Sequence, residues 1–130
     1  MAIRYKVTER GTPGVKGGGS KKYYASATAR KKIDLKQLSE RLASISTVTE
    51  IDTIAVLQGL VHLLPEYLCN GNSISLGDFG TFTVHIKSEG KDTPEAVNAT
   101  SIKDINVTFR PSVEFKKRMK AVEFKKHSLP

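Results

Sequence analysis

The stretch Ile74–Phe82 reads Ile-Ser-Leu-Gly-Asp-Phe-Gly-Thr-Phe and carries the strongest structural signal in the chain. Its first residues alternate apolar and polar side chains, and the alternation resumes from Phe82 to Ile86, which predicts a short strand followed by a longer one. The segment Gly77–Gly80 between them predicts a tight turn. Each glycine removes a Cβ where this turn must pass close to packed helices, and the phenylalanines anchor the turn in the core.

The C-terminal side extends this pattern. Residues 88–101 are polar and poorly patterned, but alternation returns over residues 105–109 and predicts a third strand. Pro111 ends that strand, and Ser112 caps a last helix. One face of this helix carries Phe115, Met119 and Val122, and the opposite face carries Lys116, Lys117 and Lys120.

Two further helices are predicted on the N-terminal side. Asp34 is followed three residues later by Gln37, a variant of the capping box, and apolar residues then recur at helical spacing. Thr49 opens a second helix that ends at Asn70–Gly71. This second helix is apolar on more than one face, and a domain this small can hardly enclose it alone. We therefore expect a second subunit to cover part of it.

The first 27 residues predict a separate β extension. Residues 3–7 alternate apolar and polar side chains, and residues 23–27 form a plausible second strand. A glycine-rich loop, Gly17–Ser20, lies between them, and we expect the two strands to pair as a hairpin. The fold class predicted from all these elements is α+β.

The charges are segregated along the chain. Its 130 residues include 21 Lys and Arg against 13 Asp and Glu, a net of +8. Residues 1–33 hold 9 basic residues and 1 acidic, a net of +8; residues 34–110 hold 6 and 10, a net of −4; residues 111–130 hold 6 and 2, a net of +4. A phosphate-binding surface built from the two ends would show this pattern. The alternative is that basic ends only keep the protein soluble.

Several classes of protein are excluded by the sequence. A single cysteine rules out an internal disulfide framework and a multi-cysteine zinc site. No apolar run approaches the ~18 residues of a transmembrane helix, and the N-terminal residues lack an apolar signal core, so neither membrane insertion nor secretion is expected. The glycines of residues 14–21 precede Ser-Lys, the reverse of the order in a phosphate loop. No metal-ligand spacing or catalytic set is visible, and we expect no enzyme, cofactor or small-molecule substrate.

From Asp34 to about Val122 the chain resembles the HU/IHF family of bacterial histone-like DNA-binding proteins. The stretch Ile74–Phe82 is similar to the glycine-phenylalanine-glycine-threonine-phenylalanine turn of that family, and Phe109–Ser112 resembles its phenylalanine-x-proline entry to the last helix. The first 32 residues lie outside the common pattern. They resemble an extended subgroup of HU-like proteins that begin with similar Tyr-Lys-Val-x-Glu-Arg and Lys-Lys-Tyr-Tyr-Ala segments.

The resemblance implies a particular architecture and activity. Two N-terminal helices, a three-stranded antiparallel sheet with a β-ribbon arm and a short C-terminal helix would form an intertwined homodimer shaped like a saddle. Each arm would reach into the minor groove of double-stranded DNA, where a proline at its tip wedges between base pairs and bends the duplex. The protein would then bend and compact DNA with little sequence preference, in the bacterial cytoplasm and associated with the nucleoid, as in chromosome condensation.

The arm departs from the family pattern. The stretch that matches the family's arm tip is Lys91–Glu95, and only Pro94 carries over. Between Lys87 and Lys103 there are 3 basic and 3 acidic residues, a net of zero, and a neutral arm gains little from counterion release. We therefore favour DNA contacts that have moved to the basic N-terminal segment and the last helix. The candidate DNA-binding residues are Lys21, Lys22, Arg30, Lys31, Lys32, Lys87, Lys91, Pro94, Lys103, Arg110, Lys116, Lys117 and Lys120.

The expected organisation is a basic N-terminal extension over residues 1–32, an HU-like DNA-binding domain over residues 33–124 and a flexible tail over residues 125–130. Tyr23 and Tyr24 could stack on bases, although packing of one of them in a strand is the more ordinary role. The neutral arm and the acidic middle leave open a second function, a protein-interaction or scaffolding module that kept the fold and lost DNA binding. RNA is a further alternative partner, because phosphate contacts alone do not separate the two polymers.

Overall fold

The computed structural model describes residues 1–12, 14–28 and 30–127. These residues form two compact units, each described separately below. The first unit comprises Met1–Lys32 together with Arg118–Pro130, and the second comprises Ile33–Lys117. The mixed α+β class predicted from the sequence is confirmed, with three α-helices and two three-stranded sheets in the described residues.

The first unit is a sheet of order β2-β1-β6. Strand β1 (Ala2–Arg10) pairs antiparallel with β2 (Lys22–Ala27), as the hairpin prediction requires. Strand β6 (Glu123–Lys126) lies on the other side of β1 and runs parallel to it. The expectation of a flexible tail from residue 125 is therefore wrong for Lys125 and Lys126. Pairing with Ala2–Tyr5 orders them, while residues 128–130 of that predicted tail lie outside the described residues.

Two helices open the second unit. Helix α1 (Leu35–Ser44) begins with the predicted capping box: the Gln37 amide donates to Asp34 Oδ1 at 2.9 Å, and the Asp34 amide donates to Gln37 Oε1 at 3.2 Å. Helix α2 (Glu50–Cys69) is capped by Thr49, whose Oγ1 accepts from the Asp52 amide at 3.2 Å. Satisfying these free amides fixes where each helix starts.

A second sheet of order β3-β4-β5 follows the helices. Strands β3 (Ile74–Ser75), β4 (Gly80–Ser88) and β5 (Ile102–Pro111) are antiparallel, and α2 packs on β3 and β4. Helix α3 (Val113–Lys120) leaves β5 through the cap residue Ser112, whose Oγ accepts from the Phe115 amide at 3.0 Å. The polar connection between β4 and β5 is less irregular than its sequence suggests, because it forms 3-10 turns at Pro94–Ala96 and Ala99–Ser101.

Four phenylalanines tie the second sheet to α3. Phe79, Phe82, Phe109 and Phe115 form five ring pairs with centroids 4.9 to 6.3 Å apart. Edge-to-face and offset contacts of this kind stabilise beyond the area that they bury. The cluster holds the turn that precedes β4 against β5 and α3, but burial in a core is not confirmed, because Phe79 is 47% and Phe109 is 38% exposed in the protomer.

Gly80 lets the turn approach β5 closely. A Cβ at this position would lie 2.4 Å from the Arg110 carbonyl oxygen and 2.6 Å from Cε2 of Phe109. Its φ of +148° is also one that side-chain-bearing residues rarely adopt. The predicted approach of the turn glycines to packed helices is therefore wrong: Gly80 approaches β5 and the phenylalanine cluster, and a Cβ at Gly77 would meet nothing within 4 Å.

Replacing Gly80 by alanine is expected to lower the free energy of unfolding by about 1–3 kcal/mol, because backbone or ring must shift to admit the methyl group. Urea denaturation followed by circular dichroism measures the change. Gly90→Ala is the matched control, since a Cβ there meets nothing within 4 Å and φ is not positive. Equal stability of the two variants would contradict this role of Gly80.

Candidate nucleic-acid interface

Strands β4 and β5 present one apolar and one polar face. Their register pairs Phe82 with Phe109, Val84 with Val107, and Ile86 with Ile105, so that these apolar side chains share a face. The intervening pairs form the other face, which we call the polar face. It consists of Thr81 and Arg110, Thr83 and Thr108, His85 and Asn106, and Lys87 and Asp104.

Hydroxyl, amide and imidazole groups cover most of the polar face. His85 Nε2 lies 3.1 Å from Thr108 Oγ1, and that hydroxyl also approaches the Thr83 carbonyl at 3.4 Å. Such groups donate to phosphate and sugar oxygens as readily as they accept from each other. Of the predicted site residues, Lys87 and Arg110 lie here. Sequence reasoning missed the others, although they are the polar half of the alternation that predicted the strands.

Residues 87–103, which we call the arm, include two lysines that form ion pairs with the Glu89 carboxylate. Lys91 Nζ lies 3.2 Å from Glu89 Oε2, and Lys103 Nζ lies 3.3 Å from Glu89 Oε1. Lys87 lies directly opposite Asp104 in the ladder. Exposed pairs like these contribute little stability, but they leave the arm without an excess of positive charge. The structure thus brings three predicted site residues together, each beside an acidic group.

The arm tip is an ordered turn. Pro94 occupies the first position of a 3-10 turn, and Asn98 caps the next one by accepting from the Thr100 amide at 2.9 Å. Ser101 is 1% exposed; its Oγ accepts from the Asn98 amide at 3.2 Å, and its carbonyl accepts from the Glu89 amide at 2.8 Å. These bonds close the tip on itself and leave Pro94 exposed.

The other predicted cations occupy exposed positions. Lys116, Lys117 and Lys120 are exposed on α3, and Lys117 Nζ approaches Glu114 Oε1 at 3.5 Å. Lys21 and Lys22 lie at the start of β2. The remaining cations of the prediction follow β2 in a segment without regular secondary structure: Arg30, Lys31 and Lys32.

The two compact units differ sharply in charge. The unit of residues 1–32 and 118–130 contains 13 Lys and Arg against 2 Asp and Glu, a net of +11. The unit of residues 33–117 contains 8 against 11, a net of −3. All of the excess positive charge therefore belongs to the unit that the three-stranded sheet β2-β1-β6 organises.

The described residues hold no group of three or more His, Cys, Asp or Glu side chains that could bind a metal ion. None of the helices that they form has the length and apolar character that crossing a bilayer requires.

A family model described as an HU domain fused to wHTH, Ig or glycine-rich motif matches residues 1–126. No curated protein sequence matches the chain.

Two solved structures share the fold. One, from Bacteroides vulgatus ATCC 8482 and described as a candidate bacterial DNA-binding protein, superposes with a TM-score of 0.67 over 99% of this chain at 12% identity. The chain spans 50% of the length of that protein. The other, HU of Anabaena crystallised with DNA, superposes with a TM-score of 0.54 over 68% of this chain and 99% of its own, at 18% identity. At these identities the likeness shows the fold.

Proposed function

The chain belongs to the family of HU domains fused to wHTH, Ig or glycine-rich motifs, and from this membership we propose that it is a non-enzymatic architectural protein that binds and bends double-stranded DNA as a homodimer. The observation that carries the proposal is the polar face of β4 and β5, where hydroxyl and amide donors adjoin Arg110. We infer that hydroxyl and amide groups on this face contact mainly phosphates and sugars, which carry no sequence information, so we expect little sequence preference. The affinity for DNA then comes mainly from phosphate charges that Lys and Arg side chains neutralise.

A homodimer is proposed because the protomer encloses almost no apolar core. Within the described residues Leu68 is the sole buried hydrophobic side chain, at 6% exposure. Helix α2 leaves Ile51 80%, Val56 69% and Val61 53% exposed. An open apolar cavity of about 370 Å³ lies between α2 and the apolar face of β4 and β5, lined by Val61, Leu64, Pro65, Leu68, Cys69, Phe82, Val84, Ile105 and Val107. A second copy would remove this surface from water.

Bending is assigned to the arm. Pro94 is exposed at the tip, and an apolar side chain there can unstack a base step. The charge balance of the arm means that its approach to DNA depends on cations elsewhere, including Arg110, Lys116 and Lys117. In a bacterial cell such a protein would be associated with the nucleoid and would assist chromosome condensation.

A second candidate function is a protein-interaction module with little affinity for DNA. This function is favoured by the net charge of −3 over residues 33–117 and by the ion pairs of Glu89 with Lys91 and Lys103. Its apolar surfaces would then serve a partner other than a second copy.

Dimerisation is tested by sedimentation equilibrium. The wild-type chain should have twice the 14.3 kDa mass of the protomer, and its unfolding midpoint should rise with protein concentration. Val61→Asp places a charge in the apolar cavity and should give a protomer-sized or unfolded species. Val113→Asp, at a valine that is 69% exposed and lies outside the cavity lining, should leave the dimer intact. A folded wild-type protomer of 14.3 kDa at ~100 µM would refute the dimer.

Duplex binding is tested by fluorescence anisotropy at several salt concentrations. Log affinity should fall linearly with log salt, and the triple variant Arg110→Gln, Lys116→Gln, Lys117→Gln should reduce that slope by up to about 2.7 per protomer if each side chain neutralises one phosphate. The control Lys16→Gln, Lys36→Gln, Arg41→Gln removes the same charge at residues outside the proposed interface. Absence of binding by the wild-type chain at low salt would favour the interaction module.

Glu89→Gln should strengthen duplex binding by releasing Lys91 and Lys103, steepening the salt slope by up to about 1.8 per protomer. Glu95→Gln removes the same charge from the same arm tip, where no ion pair of Glu95 is present among the described residues. A smaller gain is therefore expected for Glu95→Gln in the same titration. Equal gains from the two variants would show that the ion pairs of Glu89 do not restrain the arm lysines.

A further inference from the structure

The sheet of the first unit separates its side chains into two chemically different faces. The register pairs Arg10 with Lys22 and Arg4 with Lys125, and side chains paired in this way project to the same side of the sheet. Lys6, at even spacing from both arginines on β1, projects to that side as well. We call this surface the basic face. Its cations are Arg4, Lys6, Arg10, Lys22 and Lys125, and its one acidic residue is Glu123.

The opposite face of the same sheet is mostly apolar. It carries Ile3, Tyr5, Val7 and Phe124, together with two alanines of β2. The register also places Tyr23 and two charged residues, Glu9 and Lys126, on this face. From Ile3 to Val7, apolar residues alternate with the cations Arg4 and Lys6 along β1, so the two kinds of side chain project to opposite faces of the sheet. The basic face therefore has a net charge of +4, and it does not include the cations that follow β2.

Hydroxyl groups and one aromatic ring lie between the cations. Thr8 Oγ1 lies 3.0 Å from Ser26 Oγ, and Arg10 Nη2 donates to that serine oxygen at 3.4 Å. Tyr24, opposite Thr8 in the ladder, is 42% exposed. The face thus combines charge, hydrogen-bonding groups and a ring that is accessible for stacking.

The cations of this face lack partners of opposite charge. None of the ion pairs seen in the described residues involves them, in contrast to Lys91, Lys103 and Lys117. Like charges placed directly across a ladder, as in Arg10 and Lys22, destabilise a sheet. A sheet that keeps such neighbours gains stability when a polyanion binds, because the anion offsets their repulsion.

The spacing suits an extended polyanion. Arg4 and Arg10 are six residues apart on one strand, which corresponds to a span of about 20 Å, with Lys6 between them. One strand of duplex DNA carries a phosphate about every 3.4 Å along the axis, so several phosphates lie within this span. A compact anion would reach only one end of it.

We propose that the basic face is a second nucleic-acid-binding site, which holds the phosphate backbone independently of the polar face of β4 and β5. The proposal extends the proposed function in that its ligand is also a nucleic acid. A lipid surface is disfavoured because this side of the sheet offers no large aliphatic side chain for insertion. Tyr24 gives the site a means to stack on an unpaired base, whereas the cations serve duplex and single strand alike.

Anisotropy titrations of the full chain over a range of salt concentrations test the proposal, with a labelled duplex and a labelled single strand of the same length. The sheet variant is Arg4→Gln, Lys6→Gln, Arg10→Gln. It should reduce the duplex salt slope by up to about 2.7 per protomer and the single-strand slope by up to about 2.1 per protomer. The control Lys16→Gln, Lys36→Gln, Arg41→Gln should change neither slope. Circular dichroism confirms the fold, and a charge-preserving variant, Arg4→Lys, Arg10→Lys, should keep most of the affinity.

The outcomes separate this site from the one on β4 and β5. An unchanged slope in the sheet variant, with loss in the Arg110, Lys116 and Lys117 variant, would overturn the second site and leave the proposed function standing. Loss in the sheet variant alone would support the second site and remove the proposed role of the polar face. A reduced slope in both variants would support both sites. Wild-type binding to phosphatidylserine vesicles without binding to either nucleic acid would overturn the proposal in favour of a membrane surface.

Tyr24→Leu refines the assignment of ligand. A tenfold or greater loss of affinity for the single strand, with the duplex unaffected, would identify an unpaired strand as the preferred ligand of the face. Equal affinities for wild type and variant on both polymers would overturn stacking by Tyr24.

Discussion

The close approach of Gly80 to β5 is the contact on which the second unit depends. With no Cβ at this position, the turn lies against the Arg110 carbonyl and the Phe109 ring, and the four phenylalanines can meet. The contact also fixes the register of β4 against β5. Because side chains alternate with a period of two, a slip of one residue would exchange the two faces of that ladder. The close approach that Gly80 allows therefore helps to place Arg110 beside Thr81 on the polar face.

Local signals in the sequence predicted most of this fold. The capping box of Asp34 and Gln37 and the glycine at residue 80 each act within a few residues, so single-sequence reasoning identifies them. Strand β6 was not predicted because its partner, Ala2–Tyr5, lies about 120 residues away in the sequence. No local pattern indicates a pairing over that separation. The turns at the arm tip were missed for a related reason. The turn Ala99–Ser101, for example, depends on the Asn98 amide donating to Ser101 Oγ and on the Thr100 amide donating to Asn98 Oδ1, within a stretch that lacks apolar periodicity.

Pairing of β6 with β1 also changes the meaning of the charge pattern. The sequence shows two basic ends that flank an acidic middle, but the structure joins both ends in one compact unit of net charge +11. The candidate cations that the sequence predicts in the N-terminal segment form runs: Lys21 with Lys22, and Arg30 with Lys31 and Lys32. Charges on alternate residues of a strand form no run, so only the strand register shows that Arg4, Lys6 and Arg10 share one face.

Stability and partner binding are linked in both units. The second unit leaves apolar surface on α2 exposed and so favours a partner that covers it, whereas the first places like charges on neighbouring strands and so favours a partner that neutralises them. Any ligand that binds the folded state and not the unfolded chain raises the free energy of unfolding with its concentration. If two copies pair as proposed, a dimer of net charge +16 adds mutual repulsion to the cost of assembly, since each protomer contributes +8. A polyanion would relieve that repulsion, so nucleic acid and dimer formation would promote each other even without direct contact between their interfaces.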